Sequence, residues 1–413
     1  MSPFELVAAL MTVVALAGWL NARTLHLPHG VAMLLAGLAA AAVLYAAQLL
    51  FPDFAGLREI AAYIDRIDFA STVTGYMLAF LLFAGAMQVD LGEMRRRWLS
   101  IGALATLGVA ASIVIVGFGL WAVAHALGLG LPLAWALVFG ALISPTDPVA
   151  VLATVRHTKL SKTLTVVLQG EALFNDGVGI VAFTALVALA AGGAGTSPLA
   201  VVGDIVVEAA GGLLFGMALS YGVIRLMGLL DDFAVEVSLT IALAMGSYAA
   251  AQALHLSGAI AVVGAGMLFG GERAKKAMAG ATERYLTAFW TLVDEILNAL
   301  LFLLLGVEMI AVRFAAHETG LIAAAIPIVL IARFAVVLPW GQWFRLRDAE
   351  RGPTLILGWG GLHGALSLAL ALSLPAGPER ALLLSVTYAV VAFSITVQGL
   401  TFTPLVRWIE RKA

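Results

Sequence analysis

The sequence contains no cysteine, which excludes disulfide bridges, thiolate nucleophiles and thiolate metal sites. Charge is also scarce, because Asp, Glu, Lys and Arg make up only 12% of the 413 residues, whereas hydrophobic residues make up 62%. Soluble globular domains carry about twice that share of charged residues. The composition therefore excludes a soluble domain and predicts an all-α membrane protein that crosses the bilayer many times. The net charge of −2 gives no indication of a nucleic-acid partner.

About thirteen apolar stretches are long enough to cross the roughly 30 Å of a bilayer's hydrocarbon core. The predicted spans are residues 4–22, 28–51, 69–89, 98–127, 132–154, 161–192, 198–228, 234–254, 257–271, 286–312, 319–344, 353–374 and 381–408. The ninth span is short and the boundary between the seventh and eighth spans is poorly defined, so twelve spans remain an alternative. The longest connecting segments, near 52–68 and 272–285, are short, and the chain is predicted to form one membrane unit without a soluble domain.

Basic residues follow the odd-numbered spans, as in Arg95–Arg97 after the third span and Arg411 and Lys412 after the last. The positive-inside rule converts this alternation into an orientation. We therefore expect the N-terminus outside and the C-terminus in the cytoplasm.

The fifth span contains the motif SPTDPVAV, in which two prolines flank Thr146 and Asp147. Pro145 cannot donate its amide within a helix, and Pro148 disfavours the helical conformation of the residue before it. The helix is predicted to break here, about fifteen residues after Pro132 and near the bilayer midplane, where open backbone is tolerated only beside a polar cavity. Asp147 is then expected to cap a second half-helix. The alternative is a proline kink with a solvated aspartate.

A second interrupted span begins at Pro353 and contains the glycine-rich motif GWGGLHG, residues 358–364. It runs in the opposite direction to the first interrupted span. Two discontinuous helices of opposite orientation are typical of inverted-repeat transporters.

The sixth span contains EALFNDG, which places Glu171, Asn175 and Asp176 deep in the membrane. Glu171 and Asn175 are one turn apart and share a helix face, whereas Asp176 is rotated by about 100°. Because intramembrane charges must be paired or hydrated, we expect Glu171 to pair with Arg333, the basic residue deep in the eleventh span. Asp176 would then exchange a proton for a cation beside Thr146 and Asn175. An Arg333–Asp176 pair is the alternative, and it would disable transport.

With SPTDPVAV, EALFNDG, ARF and WGGLHGALSLALALSLP in this order, the chain resembles the sodium/proton exchangers of cation:proton antiporter family one, the bacterial NhaP type, over essentially its whole length. The resemblance implies an NhaA-like fold of thirteen helices with two crossed discontinuous helices, and a homodimer in the bacterial inner membrane. It also implies elevator-like alternating access. Ion-binding core helices would lie at about 69–192 and 286–408, and dimerisation or scaffold helices at about 1–51 and 198–271.

The same resemblance implies that Asp176 is the carboxylate that binds a monovalent cation or a proton. Asn175 would be its neighbour, and Thr146 and Asp147 would belong to the crossed unwound helices. No cofactor is implied beyond the transported Na⁺ or Li⁺ and H⁺.

Glu171–Arg333 corresponds to a core salt bridge in this family. The chain departs from the common family pattern at Ala172, where relatives often carry Ser, at Ala84, where many carry Glu, and at His363, where an Arg is usual. We expect His363 to face the C-terminal dipole of a half-helix and to compensate its partial charge while protonated.

The sequence thus predicts a secondary active antiporter, not an enzyme, that exchanges Na⁺ or Li⁺ for H⁺ in an electroneutral manner. A K⁺/H⁺ antiporter on the same fold is the main alternative. An intramembrane aspartyl protease would need two facing aspartates, but the chain lacks the Gly-x-Gly-Asp signature. A channel or an organic-anion symporter is the third alternative, and the ordered motifs argue against it.

Overall fold

A computed structural model describes residues 3–50, 72–147, 158, 160–192, 198–229, 232–272, 274, 280–309 and 316–411. Within these ranges the chain forms helices joined by short turns, and its one β-type contact is an isolated bridge between Asp147 and Leu362. Nine of the described helices are long and apolar enough to cross a membrane, and three shorter apolar helices accompany them. The prediction of an all-α polytopic membrane protein is confirmed, whereas the number of thirteen spans is supported only approximately.

The described helices are α1 (Pro3–Leu20), α2 (His29–Leu50), α3 (Leu78–Met87), α4 (Leu91–Ala103), α5 (Val109–Ala126), α6 (Leu133–Ile143), α7 (Lys162–Ala190), α8 (Pro198–Met227), α9 (Phe233–Ala253), α10 (Gly258–Phe269), α11 (Gly280–Met309), α12 (Thr319–Arg347), α13 (Pro353–Trp359), α14 (Ala365–Leu372), α15 (Pro378–Phe393) and α16 (Gly399–Arg411). A 3₁₀ turn, Ala316–Glu318, precedes α12.

Short π-helical turns interrupt or extend several of these helices, at Asn21–Leu25, Thr72–Met77, Leu104–Gly108 and Ser394–Gln398. The third joins α4 to α5 and the fourth joins α15 to α16, so each of these helix pairs forms one continuous span. A π-turn widens the helix locally and redirects the side chains that follow it.

The fourth span begins earlier than predicted, at Leu91 and not at residue 98. Asp90 caps the helix, because its Oδ1 accepts the amide of Glu93 at 3.1 Å. The arginines that follow are therefore helical, and the charge of Arg97 is met by Glu93 at 3.2 Å and by Asp348 at 2.6 Å.

Buried apolar side chains form two clusters, and several helices pass from one cluster to the other through polar residues. In α12, Ala332 belongs to the first cluster and Val337 to the second, with Arg333 between them. In α7, Leu168 of the second cluster and Ala182 of the first flank the polar segment from Glu171 to Asp176. We use the term polar layer for the side chains of Thr146, Asp147, Glu171, Asn175, Asp176, Arg333 and His363.

The polar layer lies deep in the protein, because Asp176 is halfway along α7 (Lys162–Ala190) and Arg333 is halfway along α12 (Thr319–Arg347). Glycine at Gly37 and Gly306 lets the backbones of α2 and α11 touch elsewhere in the fold. The division into core and scaffold helices stays a prediction.

Candidate ion-binding site

The two interrupted spans meet where both are unwound. Helix α6 ends at Ile143, and the residues after Asp147 that were expected to continue it lie outside the described ranges. The Asp147 amide donates to the Leu362 carbonyl at 2.6 Å, which joins this segment to the turn between α13 and α14. A side chain at Gly364 would meet the Asp147 carboxylate, so only glycine allows this crossing. The extended segment after α6 thus crosses the break between α13 and α14.

Asn175 holds the first unwound segment against α7. Its Nδ2 donates to Thr146 Oγ1 at 2.9 Å, and its Oδ1 accepts the Thr146 amide at 3.4 Å. Both residues are buried, with exposed fractions of 1% for Asn175 and 5% for Thr146. The amide and hydroxyl oxygens each retain a lone pair, and oxygen atoms are the ligands that hard cations prefer.

Glu171 and Arg333 form a two-pronged ion pair on the same face of α7 as Asn175. Arg333 Nη2 donates to Glu171 Oε2 at 2.9 Å, and Arg333 Nη1 contacts Glu171 Oε1. The guanidinium also donates to the Leu357 carbonyl from Nε at 3.1 Å and from Nη2 at 2.9 Å. A side chain at Gly361 would collide with this guanidinium. Within the described residues Arg333 therefore pairs with Glu171 and not with Asp176.

Asp176 occupies a different environment from Asn175, its neighbour in sequence. It is half-buried, and no residue of the described ranges donates a hydrogen bond to its carboxylate. Asp147 is also half-buried and lies within electrostatic range of Asp176. The next residue of α7, Gly177, faces Ile260 of α10. The two carboxylates thus lie close to each other at the edge of the polar layer.

His363 lies at the C-terminal end of α6, where the sequence predicted a half-helix dipole. Its ring Nδ1 is 3.3 Å from the Pro145 carbonyl oxygen, so Nδ1 carries the hydrogen of this bond. The residue is 5% exposed. The ring therefore connects the second unwound segment, to which His363 belongs, to the first.

A small cavity of about 20 Å³ lies against the face of α7 that carries Glu171 and Asn175. Its polar lining includes Ser112, Ser144, Glu171 and His363. This volume is enough for about one water molecule. Ser112, on α5, is a polar contributor that the sequence motifs did not indicate.

Sequence reasoning also missed Ser394 and Gln398, which contact the second unwound segment. Ser394 Oγ accepts the His363 amide at 2.8 Å, and Gln398 Nε2 donates to the Trp359 carbonyl at 3.3 Å. Both are almost fully buried. Their only sequence signal is the presence of polar side chains in the middle of the last apolar span.

Comparisons with known proteins identify the family of the chain. A family model described as "Sodium/hydrogen exchanger, transmembrane" matches residues 10–408. The chain is 40% identical to the Na⁺/H⁺ antiporter NhaP of Pseudomonas aeruginosa, over 98% of this chain and 96% of that protein. It is 36% identical to the Na⁺/H⁺ antiporter NhaH of Halobacillus aidingensis, over 97% and 96% of the two chains.

The fold is similar to that of the sodium proton antiporter MjNhaP1 from Methanocaldococcus jannaschii at pH 8, with a TM-score of 0.73, 17% identity and 99% of each chain covered. This structural similarity shows the fold alone, whereas the sequence matches show the family. The predicted resemblance is confirmed, and the chain belongs to the sodium/hydrogen exchanger family.

Proposed function

We propose that the protein is a secondary active antiporter that exchanges Na⁺, or Li⁺, for H⁺. The observation that carries the proposal is the half-buried Asp176 carboxylate halfway along a membrane-spanning helix, with no hydrogen-bond donor among the described residues. An intramembrane carboxylate is unfavourable unless it is neutralised. A proton and a monovalent cation are the two ways to neutralise it, and each must displace the other.

The remaining polar side chains are proposed to shape the site around this carboxylate. Asn175 and Thr146 fix the unwound backbone beside Asp176 and offer oxygen ligands to the cation. Glu171 and Arg333 neutralise each other, so neither competes for the transported ion. Asp147 adds negative potential at the mouth of the site.

The exchange is proposed to be electroneutral, with one proton for one cation. Asn175 cannot titrate, Glu171 is paired with Arg333, and Asp147 is proposed to stay ionised as a half-helix cap. Asp176 is then the single group that alternates between proton and cation. The apparent affinity for sodium should accordingly weaken as the pH falls.

The protein is proposed to work as a homodimer in the bacterial inner membrane, with its N-terminus outside and its C-terminus in the cytoplasm. Helices at about 69–192 and 286–408 would move as the ion-binding core against a scaffold at about 1–51 and 198–271. Gly177, the residue after Asp176, contacts Ile260 of α10, and this contact supports the arrangement because α10 belongs to the proposed scaffold.

The test of the proposed function is sodium-dependent proton movement in proteoliposomes. Purified protein is reconstituted with an internal pH gradient, and fluorescence dequenching is followed after addition of NaCl, LiCl, KCl or choline chloride. We expect dequenching with sodium or lithium and none with choline. A response to potassium alone would favour K⁺/H⁺ exchange, and a lack of response to all four salts would contradict the proposal.

His363→Arg is expected to move the alkaline limb of the pH–activity profile. The buried imidazole donates from Nδ1 to the Pro145 carbonyl, and it can do so in its neutral form. Arginine would place a permanent positive charge where the unwound segments cross and would favour the ionised form of the carboxylates there, so the alkaline limb should move to lower pH. The measurement is the exchange rate at saturating sodium across a pH series.

His317→Arg is the matched control for this change, because the His317 side chain is 72% exposed in the turn before α12. It should leave the profile as in the wild type. An unchanged alkaline limb in His363→Arg would remove His363 from the set of functional residues.

A further inference from the structure

The break between α13 and α14 leaves backbone groups that no helix can satisfy. Trp359 is the last residue of α13, and His363 lies just before the start of α14. Its neighbours Gly360 and Leu362 find backbone partners within the turn or at Asp147. The Trp359 carbonyl and the His363 amide need other partners, because an unsatisfied backbone group within a membrane is strongly destabilising.

The last span provides both partners from one π-turn. Ser394 Oγ accepts the His363 amide at 2.8 Å, and Gln398 Nε2 donates to the Trp359 carbonyl at 3.3 Å. A third contact comes from Thr401, whose Oγ1 accepts the Trp359 indole Nε1–H at 2.9 Å. Ser394 is 0% exposed and Gln398 is 1% exposed, so water does not compete for these bonds.

The π-turn explains why these side chains reach the break. Ser394–Gln398 is the wide turn between α15 and α16, and its first and last residues carry the two hydrogen-bonding side chains. The remaining polar side chain of this turn, Thr396, donates to its own helix at the Ala392 carbonyl, at 2.5 Å. Thr396 thus stabilises its own helix, whereas Ser394 and Gln398 stabilise the unwound segment.

We infer that Ser394 and Gln398 are positioning residues for ion exchange. They hold both ends of the turn from Trp359 to His363, and this turn carries the Leu362 carbonyl that accepts the Asp147 amide. The last span therefore fixes the point where the two unwound segments cross, beside Asp147 and Asp176. This inference rests on the proposed function, because it assigns these residues a role in the geometry of the same site.

Ser394→Ala tests the inference most directly. The change removes the acceptor for the buried His363 amide and allows the crossing to relax. We expect the apparent KM for sodium to rise about five- to tenfold, as the loss of one hydrogen bond of ordinary strength implies. The maximal rate should change much less. Hydrogen–deuterium exchange of the peptide that covers residues 360–364 should become faster, and Ser394→Thr, which keeps the hydroxyl, should restore both values.

Ser385→Ala is the matched control on the same helix. The Ser385 side chain is also buried, at 4% exposure, but its hydroxyl donates to the Ala381 carbonyl of its own helix at 3.0 Å. This variant should keep the sodium KM and the hydrogen exchange of residues 360–364 at wild-type values. Equal changes in both alanine variants would mean a general loosening of α15 and would overturn the inference.

Two further outcomes are decisive. Faster hydrogen exchange at residues 360–364 with an unchanged sodium KM would show an anchor without influence on the ion site, and would overturn the positioning role. If Ser394→Ala cannot be purified as folded protein, Gln398→Met makes the same test, since it removes the donor to Trp359 with little change in volume. A wild-type protein without sodium-dependent proton movement would contradict the proposed function, whereas hydrogen exchange would still decide whether Ser394 holds the turn.

Discussion

Asp176→Asn is expected to reduce sodium/proton exchange to the level of empty liposomes. Asparagine has nearly the same size as aspartate, so the packing around α7 is retained. A neutral amide can neither release a proton in this pH range nor balance the charge of a bound cation. Removal of an intramembrane charge also lowers the unfavourable energy of burial, so the variant should insert and fold.

The measurement is fluorescence dequenching after a sodium pulse, with size-exclusion profiles to show that the variant is folded. Asp232→Asn is the matched control. Asp232 is an exposed cap at the start of α9, where its Oδ1 accepts the Ala234 amide at 3.0 Å, and asparagine caps a helix equally well. Exchange by Asp176→Asn above the empty-liposome background would reject Asp176 as the exchanging carboxylate.

The Glu171–Arg333 ion pair is expected to give the largest effect on stability. Glu171 is 2% exposed and Arg333 is 8% exposed, so removal of either partner leaves a buried charge without compensation. Glu171→Ala and Arg333→Ala should each reduce the free energy of unfolding by about 3 kcal/mol or more. The double variant should lose less than the sum, because no uncompensated charge then remains. The unfolding of detergent-solubilised protein measures all four corners of this double-mutant cycle.

Arg97 and Asp348 provide a comparison cycle in the same protein. Their side chains are 16% and 18% exposed, and they join α4 to the end of α12 at 2.6 Å. Because this pair is less buried, its coupling energy should be smaller than that of Glu171 and Arg333. Additive effects of the two alanine changes at Glu171 and Arg333 would show that the two side chains do not stabilise each other, and would reject the ion pair.

The sequence predicts the polar layer well because its origin is local. Pro145 and Pro148 together disfavour a continuous helix between them, and the spacing of Glu171 and Asn175 places these two residues on one face of any helix. Few charged residues occur deep in the spans, so only a few carboxylates were candidates for the partner of Arg333. The chemistry of scarce intramembrane charge thus makes long-range pairing predictable.

Other contacts depend on tertiary packing and have no local signal. Ser394 and Gln398 read as ordinary polar residues within an apolar span, and nothing in their spacing indicates a π-turn. The bond between the His363 ring and the Pro145 carbonyl joins residues that are 218 positions apart. The start of the fourth span was also missed, because the charges of Arg95–Arg97 masked a helix whose cap at Asp90 is visible only with its hydrogen bond.

One titratable carboxylate, Asp176, is proposed to carry the exchange, and an imposed membrane potential shows whether any second charge moves with it. Proteoliposomes are loaded for sodium/proton exchange, and valinomycin with a potassium gradient sets the membrane potential. The sodium gradient and the proton gradient are the same in every sample. One proton exchanged for one cation moves no net charge, so we expect the same rate at zero, negative and positive potentials and no current on supported membranes. A potential that drives or accelerates exchange, or a current that scales with turnover, would show that a second charge moves and would contradict the single-carboxylate mechanism.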